Sequence, residues 1–331
     1  MKKVKVVQMG LGPIGNKVTQ YLADRKNVEI VGAIDSDSAK AGQDIGTLAG
    51  IAPLGVKVTA DMNQVLGKGD VDIVMLTTTS SLARTYDQLI QLLPYGVNVI
   101  SSCEELSYPW LTSPDLATKI DKLAKENNVA VLGTGVNPGF LMDFLPIVMT
   151  GVCRDVRKIK IERIQDATFR RIPFQKKIGA GLKVQEFDDK VKEGTLRHVG
   201  LTESIQMIAS RLGWKLDSTD EVISPIIAEN QMKTTGMVVE AGDVLGVQQI
   251  GRGMVSGEEV ITMVFRAAIG EPDDRDRIVI DGTPAIDSLI KGGVNGDVAT
   301  CAILVNAIPS IINARPGLKT MADIEPPHCF Q

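Results

Sequence analysis

The sequence has few of the residues from which metal sites and disulfide frameworks are built. It contains two histidines, His198 and His328, and four cysteines, none of which forms a Cys-x-x-Cys pair. A histidine metal site, a zinc site and a disulfide scaffold are therefore not predicted. No apolar run reaches the roughly 18 residues of a membrane helix, and the start of the chain does not resemble a signal peptide. We expect a soluble, cytoplasmic protein with no membrane partner.

Basic residues are also slightly fewer than acidic residues. The chain has 36 Lys and Arg residues against 40 Asp and Glu residues, a net charge of −4, which argues against a nucleic-acid partner. With 331 residues, of which 44% are apolar, the chain is long enough to form two domains with substantial cores.

One glycine-rich segment is the most informative part of the chain. Residues 10–15, Gly-Leu-Gly-Pro-Ile-Gly, follow an apolar run at 4–9 that predicts a strand and precede residues 16–24, which predict a helix. A second predicted strand, 28–34, ends at Asp35. Strand, glycines, helix, strand and acid in this order are typical of a dinucleotide-binding site.

Each glycine of this segment has a predicted role. Gly10 permits the tight turn out of the first strand, Gly12 lets the backbone approach a pyrophosphate, and Gly15 lets the helix pack close to the sheet. The helix N-terminus offers N–H groups and the positive end of a dipole to the phosphates. Together with Pro13 and Ile14, these residues form the predicted phosphate-binding part of the cofactor site.

The choice between NAD and NADP is predicted from the end of the second strand. Asp35 can accept hydrogen bonds from both ribose hydroxyls, which favours NAD. Ser36 belongs to the predicted cofactor site as well, because Ser36, Ser38 and Lys40 could hold the 2′-phosphate of NADP if Asp35 turned away. NAD or NADP is thus the expected cofactor, with NAD favoured.

The pattern of strands and helices changes along the chain. Residues 1–140 alternate apolar strands with helices, which predicts a doubly wound parallel sheet, that is, a Rossmann domain of the α/β class. Residues 141–296 predict an α+β domain for substrate binding, with a mostly antiparallel sheet. Residues 297–331 begin with apolar residues at helical spacing and are expected to pack back on the first domain.

Polar residues follow the predicted strands of the first domain. In a doubly wound sheet, ligands bind outside the carboxyl ends of the strands, so these residues outline one cleft. Thr77, Thr78, Thr79 and Ser80 end one strand and are predicted to line the nicotinamide-ribose side of the cofactor site. Hydroxyls at strand ends are also common for purely local reasons.

Glu104 is the predicted catalytic residue. It follows the strand at 97–100 on a loop that faces the predicted cleft, and the neighbouring Cys103 and Leu106 indicate a partly dry setting. A carboxylate in such a setting can act as a general base near neutral pH. Glu105 is the alternative residue, and a solvated or helix-capping glutamate is the simpler structural explanation.

Two further polar residues are candidates for binding. Asn137 follows the last strand of the first domain, where its amide can hold a substrate amine or the carboxamide of the nicotinamide ring. An asparagine before proline also starts turns, which is the alternative. His198 lies in a loop that leads into a helix, and a pocket role and ordinary core packing are equally open for it.

The strand at 157–165 places charge on a face that is predicted to be buried. Its isoleucines share one face, and Arg163 and Gln165 continue the same parity, with Arg171 beyond them if the strand runs on. Charged groups on a buried face are costly unless they are paired or face a cavity. Arg163, Gln165 and Arg171 are therefore predicted to bind an anionic substrate group such as a carboxylate. The alternative is a solvated basic face.

Four segments together resemble the 2,4-diaminopentanoate dehydrogenase family and the related native amine dehydrogenases. They are residues 10–15, 101–109, 133–143 and 198–214, and the tail at 292–321 also fits. The resemblance spans nearly the whole chain, and Ser-Ser-Cys-Glu-Glu-Leu-Ser-Tyr-Pro, at 101–109, is its most specific part. The His-His pair and the Lys-x-Asp-x-Pro-Ser-Gly-Thr run of true dihydrodipicolinate reductases are absent.

The resemblance implies a fold like that of dihydrodipicolinate reductase and a homodimer formed by the α+β domain. It implies NAD(P)-dependent oxidative deamination of 2,4-diaminopentanoate to 2-amino-4-oxopentanoate and ammonia, a step in anaerobic ornithine degradation, with reductive amination of ketones as the reverse reaction. It also implies that Glu104 is the catalytic acid/base and that Asn137, Arg163, Gln165 and His198 surround the substrate.

Two other functions remain open from the sequence. An NAD(P)H-dependent reductase of an imine or a semialdehyde would use the same layout without releasing ammonia. A nucleotide-sensing regulator would bind NAD and tolerate the loss of Glu104, but the chain offers no DNA-binding element. Detection of ammonia distinguishes the dehydrogenase from the reductase.

Overall fold

The computed structural model describes residues 3–170, 172–234 and 236–330. The strands are β1 (Val4–Met9), β2 (Val28–Ile34), β3 (Val58–Thr59), β4 (Ile73–Leu76), β5 (Asn98–Ser101), β6 (Ala130–Gly133), β7 (Asp155–Asp166), β8 (Ser218–Ile227), β9 (Met232–Lys233), β10 (Val238–Val239), β11 (Val244–Val255), β12 (Glu258–Ala268), β13 (Arg275–Thr283), β14 (Ile286–Lys291) and β15 (Gly317–Lys319). The helices are α1 (Pro13–Ala23), α2 (Ile45–Leu48), α3 (Met62–Leu66), α4 (Leu82–Leu92), α5 (Pro109–Thr112), α6 (Pro114–Glu126), α7 (Phe144–Thr150), α8 (Ile172–Lys177), α9 (Val184–Lys192), α10 (Leu201–Arg211), α11 (Gly296–Asn306) and α12 (Ile308–Ile312).

The chain divides into two compact units. Unit 1 comprises the residues up to Phe140 and those from Asn295 onward, and unit 2 comprises Leu141–Val294. In unit 1 the described residues form a seven-stranded sheet in the order β15-β6-β5-β4-β1-β2-β3, and every pair of neighbours is parallel. All four residues of β4 and of β6 are buried, as in strands covered by helices on both faces. The predicted doubly wound parallel sheet is confirmed.

The C-terminal segment completes this sheet. β15 pairs in parallel with β6, and α11 packs on α1. The apolar pattern at 297–314 forms two helices rather than one, because Pro309 lies at the start of α12. Proline is tolerated only in the first turn of a helix, because it has no N–H group to donate to the preceding turn.

Unit 2 is built around a six-stranded sheet of described residues in the order β14-β13-β7-β12-β11-β8. Only β7 and β12 pair in parallel, and the other neighbours are antiparallel. The short strands β9 and β10 pair separately. The predicted α+β character and mostly antiparallel sheet are thus confirmed.

The register of this sheet aligns side chains into rows that cross it. On one face, Gln249, Phe265, Arg163 and Asp276 lie directly opposite one another on adjacent strands. We call these four residues the inner row, and each is at most 5% exposed. Since side chains alternate along a strand, their sequence neighbours form a row on the opposite face, the outer row. The outer row consists of Val222, Ile250, Val264, Glu162, Arg277 and Leu289.

Candidate active site

The carboxyl ends of four strands of unit 1 lie at one level. Met9 pairs with Leu76, Leu76 with Ser101, and Ser101 with Gly133. The loops that follow β1, β4, β5 and β6 therefore start from a single line across the sheet edge. These are the loops that carry the predicted glycines, hydroxyls, Glu104 and Asn137, so unit 1 brings those residues to one edge.

The glycine loop requires glycine at two positions for packing reasons. Gly10 has a φ of +91°, a conformation that other residues rarely adopt. A Cβ on Gly15 would lie 1.8 Å from the carbonyl oxygen of Gly10, so the close approach of α1 to the loop allows no side chain there.

Gly12 is different, because packing within the protein does not require it. Its φ is −75°, and a Cβ on it would meet nothing within 4 Å among the described residues. Gly12 therefore leaves open space directly before α1, at a position where a side chain would fit. That helix has 11 residues, and no side chain caps its first N–H groups. Open space beside uncapped helix N–H groups fits the diphosphate of a dinucleotide.

Asp35 faces the glycine loop and is held by three donors. Its Oδ2 accepts hydrogen bonds from Leu11 N–H at 2.7 Å and from Lys40 Nζ at 3.0 Å, and its Oδ1 accepts one from Asp37 N–H at 2.9 Å. Burial opposes ionisation, but these donors prevail and hold the pKa of Asp35 below its ordinary value. Each carboxylate oxygen accepts about two hydrogen bonds. Oδ1 can therefore accept one more, such as that of a ribose hydroxyl, whereas Leu11 and Lys40 already donate two to Oδ2.

The hydroxyls that end β4 mostly have partners within the protein. Thr77 Oγ1 accepts from Gln8 Nε2 and donates to Gly10 C=O, each at 2.8 Å, and thereby supports the glycine loop from below. Thr78 Oγ1 donates to Gln88 Oε1, and Thr79 Oγ1 accepts from the N–H of residue 81. Contact of these hydroxyls and of Ser80 with the cofactor stays a prediction, as does that of the exposed Ser36.

The residues on either side of Glu104 are fixed to the neighbouring loop. Cys103 Sγ donates to Ser80 C=O at 3.1 Å, and Glu105 Oε2 accepts from Leu82 N–H at 2.7 Å, at the start of α4. Burial raises the pKa of the Cys103 thiol to about 12, so this cysteine stays protonated and is a poor nucleophile. Glu105 is therefore the helix-capping glutamate.

Glu104 itself starts a 3₁₀ turn, Glu104–Leu106, and is half-buried. No described residue donates a hydrogen bond to its carboxylate or forms an ion pair with it. A half-buried carboxylate held in place by its neighbours, without a structural partner among the described residues, is suited to proton transfer. This distinguishes Glu104 from Glu105 on structural grounds.

The segment that leads from β6 to Asn137 is fixed by two hydrogen bonds. Thr134 N–H donates to Ser101 C=O, and Val136 N–H donates to Thr300 Oγ1 of α11. The Asn137–Pro138 peptide is cis, and Asn137 is half-buried. Residues 137–140 form a turn, as expected for Asn before Pro, and a binding role for the Asn137 amide stays a prediction.

Arg163 differs from the expectation that its guanidinium is available to a substrate carboxylate. It is 2% exposed, and its Nη1 donates to both carboxylate oxygens of Asp276 at 2.7 and 2.9 Å. Its Nη2 donates to Val294 C=O, and Val294 N–H donates to Asp276. The charge of Arg163 is thus balanced inside unit 2, because Asp276 lies directly opposite it on β13. Breaking such a buried pair costs about 3–5 kcal/mol.

The other predicted members of the basic strand differ in position. Gln165 is 8% exposed, and its Nε2 lies 3.5 Å from Val294 C=O. β7 ends at Asp166, so the strand parity does not extend further along the chain. Arg171 lies outside the described residues. Substrate contact by Gln165 stays a prediction.

His198 packs on the inner row. Its ring stacks on Phe265 with the ring centroids 4.3 Å apart, and its backbone is bonded to the side chain of Gln249. Burial, followed by the charges of Lys177 and Arg163, lowers the pKa of His198 to about 3. The imidazole is therefore neutral at physiological pH, with one nitrogen that donates and one that accepts.

Sequence reasoning missed Gln249, Phe265, Asp276 and Lys177. Gln249 could have been found from the sequence, because it is a polar residue within a largely apolar strand. A buried amide must be hydrogen-bonded, so such a residue indicates a specific partner. No local signal joins Asp276 to Arg163, because the two are 113 residues apart in the chain.

Metal and membrane features are absent from the part of the chain that the structure describes. It contains no cluster of three or more His, Cys, Asp or Glu side chains that could hold a metal ion. Each helix there is too short or too polar to cross a bilayer.

Comparison with known proteins identifies the family. The family model of the 2,4-diaminopentanoate dehydrogenase C-terminal domain matches residues 140–331, and that of the dihydrodipicolinate reductase N-terminus matches residues 4–102. The 2,4-diaminopentanoate dehydrogenase of Acetoanaerobium sticklandii is 39% identical over 343 residues, covering 100% of this chain and 96% of that protein. The chain belongs to the 2,4-diaminopentanoate dehydrogenase family.

Amine dehydrogenases are similar over the same length. The amine dehydrogenase of Streptomyces virginiae is 23% identical, over 97% of this chain and 96% of its own. The solved structure of an amine dehydrogenase from Mycobacterium smegmatis has a TM-score of 0.86 and 27% identity, over 99% of this chain and 97% of that one. The resemblance drawn from the sequence motifs is confirmed.

The contrast between Gly12 and Gly15 yields a prediction. We expect Gly12→Ala to change the free energy of unfolding by less than about 1 kcal/mol, because the new methyl meets only open space, yet to weaken dinucleotide binding at least about tenfold by blocking the diphosphate. Gly15→Ala should instead destabilise the protein by about 1–3 kcal/mol or more, because its methyl overlaps a backbone oxygen. Urea unfolding and titration calorimetry with NAD⁺ measure both effects. Unchanged NAD⁺ binding in Gly12→Ala would place the phosphates elsewhere.

Proposed function

We propose that this chain catalyses NAD(P)-dependent oxidative deamination of 2,4-diaminopentanoate to 2-amino-4-oxopentanoate and ammonia. The observation that carries the proposal is the 39% identity along the whole chain to a 2,4-diaminopentanoate dehydrogenase. The half-buried Glu104 at the edge that also bears the glycine loop supplies the chemistry. In balance, the protonated amine of the substrate, NAD(P)⁺ and water give the ketone, ammonium, NAD(P)H and a proton.

A nicotinamide cofactor, whose diphosphate the loop at 10–15 would hold, would supply the acceptor for the hydride that leaves the carbon carrying the 4-amino group. Glu104 acts before and after this transfer. Its carboxylate first takes a proton from the substrate ammonium, because only a neutral amine can donate its lone pair as the hydride departs. Once that proton has passed to solvent, Glu104 takes a proton from the water molecule that adds to the iminium carbon and returns it to the nitrogen, so that ammonia leaves as the carbonyl group forms. Fixed loops on both sides of Glu104 keep the carboxylate in position through both steps.

The substrate groups remote from the reacting carbon are assigned to residues of unit 2. We assign the 2-amino group to the neutral His198 and to Gln165, and the reacting 4-amino group to the Asn137 amide. Since the carboxylate of Asp276 already neutralises the charge of Arg163, we assign the substrate carboxylate to Lys177. This lysine is exposed at the end of α8, and its charge contributes to the lowered pKa of His198. Arg163 then shapes this region without contacting the carboxylate.

For the cofactor we propose a preference for NAD. Asp35 faces the glycine loop, and its charge repels a 2′-phosphate while its Oδ1 receives a ribose hydroxyl. Lys40 opposes this preference, because its ammonium could pair with the phosphate of NADP. The balance between these two residues sets the degree of preference.

We also propose a homodimer that forms through the outer row of unit 2. Val222 and Leu289 end this row at 49% and 47% exposed, which is a large exposure for apolar side chains on a sheet face. We also propose a role in anaerobic ornithine degradation, which rests on the family resemblance, and a cytoplasmic location, which rests on the composition of the chain.

The catalytic assignment predicts a sharp difference between two adjacent glutamates. We expect wild type to release ammonia and NAD(P)H in equal amounts from 2,4-diaminopentanoate, and Glu104→Gln to lower turnover by about 10²-fold or more with NAD⁺ binding intact. Glu105→Gln keeps an oxygen that can accept from Leu82 N–H, so it should stay within about threefold of wild type.

Ammonia and reduced nicotinamide are the two readouts of that comparison. NADH oxidation with a cyclic imine, without ammonia consumed or released, would instead favour an imine or semialdehyde reductase. Loss of turnover in Glu105→Gln with normal turnover in Glu104→Gln would transfer the catalytic role to Glu105.

The cofactor assignment predicts opposite effects of two charge removals. Asp35→Ala should weaken NAD⁺ binding about tenfold or more, the scale of a hydrogen bond to a charged group, and weaken NADP⁺ binding less. Lys40→Met should weaken NADP⁺ binding and leave NAD⁺ binding unchanged or tighter. Dissociation constants from calorimetry test this, with Lys119→Met on the exposed face of α6 as the control. Tighter binding of NADP⁺ than of NAD⁺ by wild type would contradict the NAD preference.

The carboxylate assignment is tested with two adjacent lysines. Lys177→Met should lower kcat/KM for 2,4-diaminopentanoate about tenfold or more, which corresponds to the loss of one charge-assisted hydrogen bond. In the same variant, kcat/KM for pentan-2-amine, which lacks the carboxylate, should change little. Lys176→Met is the matched control and should leave both substrates unaffected. Equal losses on both substrates would exclude a carboxylate contact by Lys177.

A further inference from the structure

His198 is held in place by one buried side chain. Gln249 Oε1 accepts a hydrogen bond from His198 N–H at 2.8 Å, and Gln249 Nε2 donates one to His198 C=O at 3.0 Å. Both backbone polar groups of His198 are thus bonded to the same amide. The residue lies in the connection between α9 and α10, outside helices and strands, so this amide replaces the bonds that regular structure would supply.

Gln249 is itself held in a single orientation. It is fully buried, and its Nε2 also donates to Glu221 Oε2 at 2.8 Å. The other oxygen of Glu221 accepts from Thr202 Oγ1 at 2.8 Å. A carboxylate only accepts hydrogen bonds, so Glu221 fixes which end of the amide is nitrogen, and the remaining oxygen must face His198 N–H.

Phe265 supplies the second restraint. It lies directly opposite Gln249 on β12, and its ring stacks on the His198 ring with an angle of 14° between the planes. One residue of the inner row therefore fixes the peptide of His198 and the adjacent one fixes its ring. This arrangement sets both the position and the tilt of the imidazole.

We infer that Gln249, oriented by Glu221, is a positioning residue that fixes the His198 imidazole for recognition of the 2-amino group of a diamino acid. This inference rests on the proposed function for the identity of the substrate. Lowering of the His198 pKa by burial, Lys177 and Arg163 agrees with it, since the ring then stays neutral and carries one acceptor nitrogen. Gln249 does not contact the substrate.

The chain offers a clean spectroscopic readout of His198. It has two histidines, and His328 is exposed near the C-terminus, so imidazole NMR signals report one fixed ring and one reference. Gln249→Met keeps the side-chain length and removes all of these hydrogen bonds. Gln248→Met is the matched control, because Gln248 is the sequence neighbour on the opposite face of the sheet.

Gln249→Met should shift and broaden the His198 NMR signals, because the imidazole loses its fixed position, while the His328 signals stay unchanged. KM for 2,4-diaminopentanoate should rise about tenfold with kcat within about threefold, since the lost interaction serves binding. KM for pentan-2-amine should change little. If Gln249→Met does not fold, Glu221→Gln tests the same orientation, with a smaller rise in KM and a shift of the His198 signals alone.

Unchanged His198 signals in folded Gln249→Met and in Glu221→Gln would overturn the inference, as would a fall in kcat with KM unaltered. The NMR result does not depend on turnover. Failure of wild type to deaminate 2,4-diaminopentanoate, with the His198 signals still dependent on Gln249, would therefore reject the substrate assignment and keep the positioning role.

Discussion

The parallel register of unit 1 is the constraint on which its candidate site depends. Met9, Leu76, Ser101 and Gly133 are paired in one line, so the loops beyond them leave the sheet at the same level. The hydroxyl of Thr77 can then reach the glycine loop, and the thiol of Cys103 can reach the loop that follows β4. A slip of one residue would turn each of these side chains to the other face of the sheet.

Unit 2 uses one sheet face in a different way. Three of the four residues of its inner row are polar, and each is satisfied by a specific partner: Asp276 binds Arg163, and Gln249 binds Glu221 and His198. A buried polar group that is fully hydrogen-bonded costs little and restricts its neighbours strongly. The residues fixed in this way, Val294 and His198, both lie outside strands. The inner row therefore fixes backbone segments that lie outside helices and strands.

The sequence predicted features that depend on nearby residues and missed those that depend on distant ones. The glycine loop, Asp35 and the doubly wound parallel sheet of the first domain follow from periodicity and spacing within about 35 residues. β3 and β15, with two and three residues, are too short to show any period. The parity of β7 placed Arg163 on a buried face, but its partner is 113 residues away, so the neutralising carboxylate could not be inferred.

The division of unit 1 into two chain segments has a consequence for synthesis. A ribosome completes the first 140 residues well before β15 and α11 exist, because the whole of unit 2 lies between them. Until then β6 is an open sheet edge, with unpaired N–H and C=O groups that β15 later bonds. The face of α1 that α11 covers is likewise exposed during this interval. The nucleotide-binding unit therefore reaches its final form last, after the domain inserted into it has emerged.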